Sequence, residues 1–127
     1  MLGLFSIFGR SQDQQLLDQA LRNAGLHPRL LPDAVKITTI RLMKSAAGSG
    51  KVTDAQRAAA AELLAYGTLG PEDFAQAADA GRMAAVEERL EAAIETGDSL
   101  DAQLILLLMH AGQLDETVTA RYSLAHG

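Results

Sequence analysis

The glycine-rich segment SAAGSGKVT, residues 45 to 53, resembles a phosphate-binding P-loop. Such a loop holds phosphates with backbone N–H groups and one lysine, while a hydroxyl that follows the lysine reaches the magnesium ion. Ser45 stands where the first glycine is required, and Val52 stands where the hydroxyl is required. The sequence therefore predicts a flexible turn between two helices, with Lys51 in solvent, and no nucleotide cofactor.

A second segment, DFAQAADAGRMAAVEERLE at 73 to 91, resembles a DNA-binding helix-turn-helix in its order of alanine, glycine and valine. The helix that would read the bases carries Glu87, Glu88 and Glu91, and carboxylates beside phosphates weaken binding. The whole chain has 16 acidic and 11 basic side chains, a formal charge of -5. We therefore expect no nucleic-acid partner.

Metal-ligating patterns are weak in this sequence. The three histidines, His27, His110 and His126, do not have the spacing of a helical metal site. Glu87, Glu91 and Glu95 form a stripe along one helix face, but carboxylate sites in bundles pair such stripes with Glu-x-x-His motifs on facing helices. The stripe is therefore predicted to be a solvated face.

Nucleophilic chemistry has no support in the sequence either. Cysteine is absent, and Tyr66 and Tyr122 have no identifiable base partner. We expect a non-enzymatic protein without a cofactor. The absence of cysteine also fits a reducing compartment, and the predicted location is the cytoplasm.

Composition predicts the elements that must carry these residues. The chain has 127 residues, of which 48% are hydrophobic and 4% aromatic, so small and aliphatic side chains fill its core. This favours an all-α fold, a compact bundle of about six to seven short helices. Residues 11 to 127 form the predicted helical domain, and residues 1 to 10 form a separate apolar segment.

Capping residues, prolines and glycines predict the helix limits. Helix starts are expected at Ser11, Pro32, Thr53, Gly70-Pro71, Asp98 or Ser99, and Asp115, and helix ends at Gly25, Gly48, Gly67 and Gly112. Residues 35 to 40 also suit a strand, and residues 72 to 96 form either one bent helix or two helices divided at Gly81.

Apolar spacing predicts which helix faces are buried. The expected inward residues are Val35, Thr38, Leu42 and Ala46 in one helix, Met83, Val86, Leu90 and Ile94 in another, and Val118, Tyr122 and Ala125 in the last, which runs to the chain terminus. Residues 100 to 109 are apolar around most of the circumference, so this helix is predicted to lie at the centre.

The first ten residues, MLGLFSIFGR, are apolar but shorter than the roughly 20 residues of a membrane span and lack the basic region of a signal peptide. Two interpretations are open. The segment is a short helix docked on the core, or it is a contact site in which Leu4, Phe5, Ile7 and Phe8 bind a protein partner, with residues 1 to 8 also suited to peripheral membrane contact.

Two stretches of the chain are similar to each other. Residues 48 to 67 and 110 to 127 each follow an apolar run, turn at Gly50 or Gly112, and open a new helix on Thr53 or Asp115. This similarity predicts two pseudo-repeated helix-turn-helix units, which bury their apolar faces by packing together.

The segments LMKSAAGSGKVTDAQRAAAAELL at 42 to 64 and LLLMHAGQLDETVTARYSLA at 106 to 125 resemble the tellurite-resistance TerB-like helical domains. The resemblance implies an all-α fold and a cation-binding or stress-response role. That family typically has an acidic residue before the turn glycine, where this chain has Ser49 and Ala111. Asp54, Asp115 and Glu116 remain as weak candidates for metal ligands.

The sequences that begin at Gly81 and Gly112 also resemble the second helix of tetratricopeptide repeats, although their separation is shorter than that repeat. Both resemblances are typical of helical modules that act by contact. The leading hypothesis from the sequence is a non-enzymatic module that binds a protein partner or a second copy of itself. The alternative is the TerB-like cation-binding domain.

Overall fold

The computed structural model describes residues 11 to 48 and 50 to 124. These residues form six α-helices, one 3₁₀ turn and no strand, so the predicted all-α class is confirmed. The helices are α1 (Gln12–Ala24), α2 (Asp33–Ala47), α3 (Asp54–Phe74), α4 (Ala80–Thr96), α5 (Leu100–His110) and α6 (Glu116–Arg121), and the 3₁₀ turn is Pro28–Leu30. The strand alternative for residues 35 to 40 is wrong, since they lie within α2. None of these helices is both long and apolar enough to span a bilayer.

The predicted helix starts are set by local hydrogen bonds. The Ser11 hydroxyl accepts from the Gln14 N–H, and the Ser99 hydroxyl accepts from the Ala102 N–H. Thr53 and Gln56 form a reciprocal capping box with distances of 3.1 and 2.8 Å. These bonds satisfy N–H groups that have no partner inside the helix, which is why the sequence signal is reliable at these positions.

Helix α3 lies at the centre of the bundle and packs against all five other helices. Its side chains at Ala60, Ala61, Leu63 and Leu64 are fully or almost fully buried. The prediction that residues 100 to 109 form the central helix is wrong. That helix is α5, which buries one side against its neighbours and leaves Leu106 47% exposed.

The predicted end of a helix at Gly67 is also wrong, because α3 continues through this residue. Gly67 is buried, and a Cβ atom there would lie 2.6 Å from the Leu108 Cδ1 atom. The glycine therefore permits α5 to approach α3 closely. The helix bends instead at Gly70, whose φ of 84° is left-handed, and Pro71 follows directly.

A break separates the helical residues between 72 and 96, but it does not lie at Gly81. Residues 75 to 79 connect the end of α3 to α4, and Gly81 lies inside the first turn of α4. The Asp79 side chain accepts from the Arg82 N–H at 2.8 Å. Asp79 is therefore the N-cap that the sequence interpretation did not recognise.

The buried side of α2 differs from the predicted one. Pro32 precedes the helix as its N-cap rather than occupying its first position, and Ala46 is exposed. The helix buries Val35, as predicted, but its other buried residues are Lys36, Thr39, Ile40 and Met43. Lys36 is only 1% exposed, and its ammonium group bonds to the Asp18 carboxylate at 3.1 Å and the Pro28 carbonyl at 3.2 Å. A charged residue in a core position hid this side from the hydrophobic pattern.

The C-terminal part of the chain is anchored to α3 by a backbone bond. Pro71 has no N–H, so it cannot donate to the Gly67 carbonyl one turn earlier as a helical residue would. The Asp115 N–H donates to that carbonyl instead, at 2.7 Å. Helix α6 ends at Arg121, so the prediction that it continues to the terminus is wrong, and Ala125 lies outside the described residues.

The two similar stretches share their helix start and little more. Thr53 caps α3 and Asp115 caps α6, but these helices have 21 and 6 residues. Gly112 has a φ of 68°, whereas in the first stretch the positive φ belongs to Gly48, at 65°, and not to Gly50. A common capping signal therefore explains the similarity better than a repeated unit of structure.

Candidate contact surface

The residues predicted to bind a partner, Leu4, Phe5, Ile7 and Phe8, lie outside the described residues. The weak candidates for metal ligands, by contrast, lie within the described residues, and the length of α3 separates Asp54 from Asp115 and Glu116. Asp54 begins α3 and pairs with Arg57 at 2.7 Å, whereas Asp115 contacts the Gly67 carbonyl near the other end. Positions 54 and 67 are separated by 13 residues along the helix, which corresponds to about 20 Å. Asp54 therefore cannot share one ion with Asp115 and its exposed neighbour Glu116.

The acidic stripe of α4 is not uniformly solvated. Glu91 and Glu95 are exposed, but Glu87 is half-buried, accepts the Tyr66 hydroxyl at 2.8 Å and forms an ion pair with Arg121. The prediction of a solvated face is therefore wrong at Glu87. Tyr66 and Glu87 are 21 positions apart in different helices, so no local pattern in the sequence indicates this pair.

Tyr66 is fully buried where α3, α4 and α6 meet. Burial, together with hydrogen bonds to Tyr122 and Glu87, raises the pKa of Tyr66 far above its ordinary value. The hydroxyl therefore keeps its proton at neutral pH and acts as a donor to Glu87. This arrangement fastens α6 to the bundle.

The arginines of α4 point into the protein rather than toward a nucleic acid. Arg82 pairs with Glu62, and its guanidinium lies 5.7 Å from the centre of the Phe74 ring. Arg89 pairs with Asp101 at 2.9 Å and donates to the Ala59 carbonyl at 2.9 Å. Both cations are thus used to join helices within the bundle.

An apolar cleft lies between the end of α4 and the outer side of α5. Its volume is about 180 Å³. It is lined by Ala93, Ile94, Gly97, Ala102, Ile105, Leu106, Met109 and Leu124. Ile94 and Leu106 are 41% and 47% exposed, although both are large apolar residues. We call this feature the α4–α5 cleft.

The residues that line the cleft are uncharged, and the exposed charges of the neighbouring helix α4 are carboxylates. Between residues 80 and 98 the exposed charged side chains are all acidic: Glu88, Glu91, Glu95 and Asp98. Glu91 precedes Ile94 by one helical turn, and Asp98 follows the end of the helix. The cleft itself is therefore apolar, and the residues that follow Ile94 and Gly97 in sequence, Glu95 and Asp98, are exposed and acidic.

One side of the cleft is formed by α5, a helix whose sequence predicts burial. Residues 100 to 109 are apolar on nearly every side, a pattern that predicts burial at the centre of the bundle. Helix α5 packs against α2, α3 and α4, but these neighbours do not cover its whole circumference, so Leu106 remains exposed. Ile94 was predicted to lie inward, but Ala93 occupies the buried position of that turn.

Comparison of the chain with protein-family models, with curated proteins and with solved structures finds no match. The resemblance to TerB-like domains therefore stays a prediction from two short segments.

Proposed function

We propose that this protein is a helical contact module that binds an apolar protein segment in the α4–α5 cleft. The observation that carries the proposal is the exposure of Ile94 and Leu106 beside one another in an apolar depression. Scattered exposed apolar residues are ordinary, but a concave group of them is typical of a binding site.

The size of the cleft favours a protein segment over a small-molecule ligand. Ligand pockets usually enclose about 300 to 1,000 Å³. The cleft has about 180 Å³, which suits one large anchoring side chain. Protein interfaces commonly concentrate their binding energy in such anchors, with weaker contacts around them.

The charge around the cleft indicates what the bound segment carries. Glu95 and Asp98, which adjoin Ile94 and Gly97 in sequence, would repel an acidic segment and attract one with lysine or arginine beside its apolar anchors. The partner we propose is therefore a short segment with at least one aromatic or large aliphatic residue and a basic flank. Nucleic acid fits neither the apolar cleft nor the carboxylates near it.

The polar contacts between helices support a non-enzymatic role. Tyr66 with Glu87, Arg82 with Glu62, and Arg89 with Asp101 each join two helices of the bundle. Their hydrogen-bonding capacity is directed at one another, which is typical of structural networks. The cysteine-free composition is consistent with a module that works in the cytoplasm.

Site-specific photocrosslinking in cells of the source organism tests this proposal. Benzoylphenylalanine replaces Leu106 in one variant and Leu30 in a matched control, since Leu30 is 52% exposed on the 3₁₀ turn. We expect discrete adducts from position 106 only, and their loss when Ile94→Glu is added. Mass spectrometry identifies the attached protein.

Binding of the purified partner completes the test. We expect Leu106→Glu to weaken the affinity at least about tenfold, a loss of roughly 1.4 kcal/mol, and Leu30→Glu to leave it unchanged. Equal adducts at positions 106 and 30, or adducts at 106 that persist in the Ile94→Glu background, would contradict the proposal.

A further inference from the structure

We infer that a groove between α1 and α2 binds a small phosphate monoester that has an apolar body. The groove is closed on one side by the connection that follows α2 and by the first turn of α3, and its volume is about 520 Å³. Its lining combines apolar with cationic side chains, namely Leu16, Ile40, Met43, Lys44, Lys51 and Arg57. We call this feature the α1–α2 groove.

The charge of the groove lining is opposite in sign to that of the whole chain. The lining contains Lys44, Lys51 and Arg57 against one carboxylate, Asp13, whereas the chain has a formal charge of -5. Two other depressions differ from it: one is lined by two carboxylates and two arginines, and the one beside Arg121 by two glutamates and one arginine. A depression that concentrates cations on an acidic protein attracts small anions.

Two of these cations keep charge that the protein neutralises only weakly. The Lys51 side chain is exposed and forms no hydrogen bond or ion pair with any of the described residues. The Arg57 side chain is only 11% exposed, but its ion-pair partner Asp54 is fully exposed. Water screens such a carboxylate, so it compensates a neighbouring cation weakly. Lys44 differs, since Asp13 pairs with it at 2.7 Å. Lys51 and Arg57 are therefore available to an anion that carries two negative charges, as a phosphate monoester does.

The apolar part of the lining indicates that the ligand is more than an inorganic ion. Ile40 and Met43 of α2 are almost buried, and Leu16 of α1 is 38% exposed. A ring or a short aliphatic chain would cover these side chains, which phosphate alone would leave in contact with water. The volume of the groove lies within the range of about 300 to 1,000 Å³ that is usual for small-molecule sites.

The α1–α2 groove is distinct from the two features with which it could be confused. A P-loop holds phosphate with backbone N–H groups and magnesium, whereas this groove offers side-chain cations from α2, α3 and their connection. The groove shares no lining residue with the α4–α5 cleft. The inference therefore goes beyond the proposed function, and either can fail while the other stands.

Titration of the full chain with four related compounds, followed by amide NMR spectra, tests the inference. The compounds are 1-naphthyl phosphate, 1-naphthyl sulfate, 1-naphthol and inorganic phosphate, at a pH of about 8, where the phosphate monoester carries two charges. We expect 1-naphthyl phosphate to bind with a Kd of about 1 mM or below, and the other three at least about fivefold more weakly, because each lacks charge or the apolar ring. The amides of Gly50, Lys51 and Val52 should shift most.

Three exposed positions supply variants and a matched control. Lys51→Gln should weaken 1-naphthyl phosphate binding at least about fivefold, whereas Arg29→Gln, which removes an exposed cation outside the groove, should change it by less than about twofold. Leu16→Gln should weaken 1-naphthyl phosphate about fivefold and leave inorganic phosphate unchanged. Circular dichroism checks that each variant keeps its helices.

Several results would overturn the inference. They are equal affinities for 1-naphthyl phosphate and 1-naphthol, equal weakening by Lys51→Gln and Arg29→Gln, and no binding of 1-naphthyl phosphate at concentrations up to about 10 mM. Shifts confined to residues of the α4–α5 cleft would also overturn it, since the naphthalene ring would then occupy the apolar site of the proposed function. The comparison among the four compounds uses the wild type, so it does not depend on the folding of any variant.

Discussion

Replacing Tyr66 by phenylalanine removes one buried hydroxyl from the junction of α3, α4 and α6, and its consequences can be worked out at two pH values. At neutral pH the variant loses the 2.8 Å bond to Glu87. A hydrogen bond to a charged group contributes about 1.5 to 3 kcal/mol, but Glu87 keeps its ion pair with Arg121. We therefore expect the free energy of unfolding to fall by about 1 to 2 kcal/mol.

At alkaline pH the wild type should lose its stability advantage over Tyr66→Phe. Burial first, and then the contacts with Tyr122 and Glu87, raise the pKa of Tyr66 in the folded protein. The unfolded chain releases this proton near its ordinary pKa of about 10, while the folded protein retains it. Above that pH the wild type therefore loses up to about 1.4 kcal/mol of stability per pH unit, and Tyr66→Phe lacks this loss. The two proteins should become nearly equal in stability near pH 11.

Urea unfolding followed by circular dichroism, at a series of pH values, measures this difference. The variant Tyr122→Phe leaves Tyr66 as the only tyrosine, so its phenolate absorbance should appear together with the loss of helical signal. Parallel pH dependences for wild type and Tyr66→Phe would refute the reasoning. So would phenolate absorbance in a Tyr122→Phe protein that is still fully helical.

Three further perturbations have expected outcomes that equilibrium unfolding measures. Gly67→Ala should destabilise the fold by about 1 to 3 kcal/mol because the added methyl group would clash with Leu108 of α5. Gly81→Ala, at an exposed position with room for a methyl group, should stabilise the fold by up to about 1 kcal/mol. Equal effects of the two substitutions would contradict the packing argument. Lys36→Met should cost about 2 to 4 kcal/mol, with part recovered on adding Asp18→Asn, since the single change removes the buried cation from a carboxylate. Asp79→Ala should cost about 1 kcal/mol by removing the N-cap of α4, and an unchanged stability would argue against that cap.

Local chemistry explains which features of this fold the sequence predicted. Ser11, Thr53 and Ser99 cap helices by bonding to N–H groups three residues ahead, so the whole interaction is contained in a short stretch of chain. The all-α class followed from the composition, which is rich in small and aliphatic residues and poor in aromatic ones. The predicted helix end at Gly67 is wrong because the low helix propensity of glycine is outweighed there by close packing against another helix.

Features that depend on distant partners were not predictable in this way. Lys36 is buried because Asp18, in another helix, lies 3.1 Å away, and Glu87 is half-buried because Tyr66 and Arg121 reach it. The candidate contact surface depends on which side of α5 is left uncovered. Apolar composition showed that α5 is hydrophobic, but only the arrangement of the other helices determines that Leu106 is the residue outside.

The bond from the Asp115 N–H to the Gly67 carbonyl has a consequence for the order in which the protein forms. During synthesis the turn of α3 before the bend at Gly70 emerges with a Gly67 carbonyl that Pro71 cannot satisfy, and its donor is made 44 residues after Pro71, at position 115. Until then this carbonyl lacks its backbone donor, and the turn around it should exchange its amide hydrogens quickly. We therefore expect the middle of α3 to be protected first in pulse-labelling experiments and its end to gain protection together with α6.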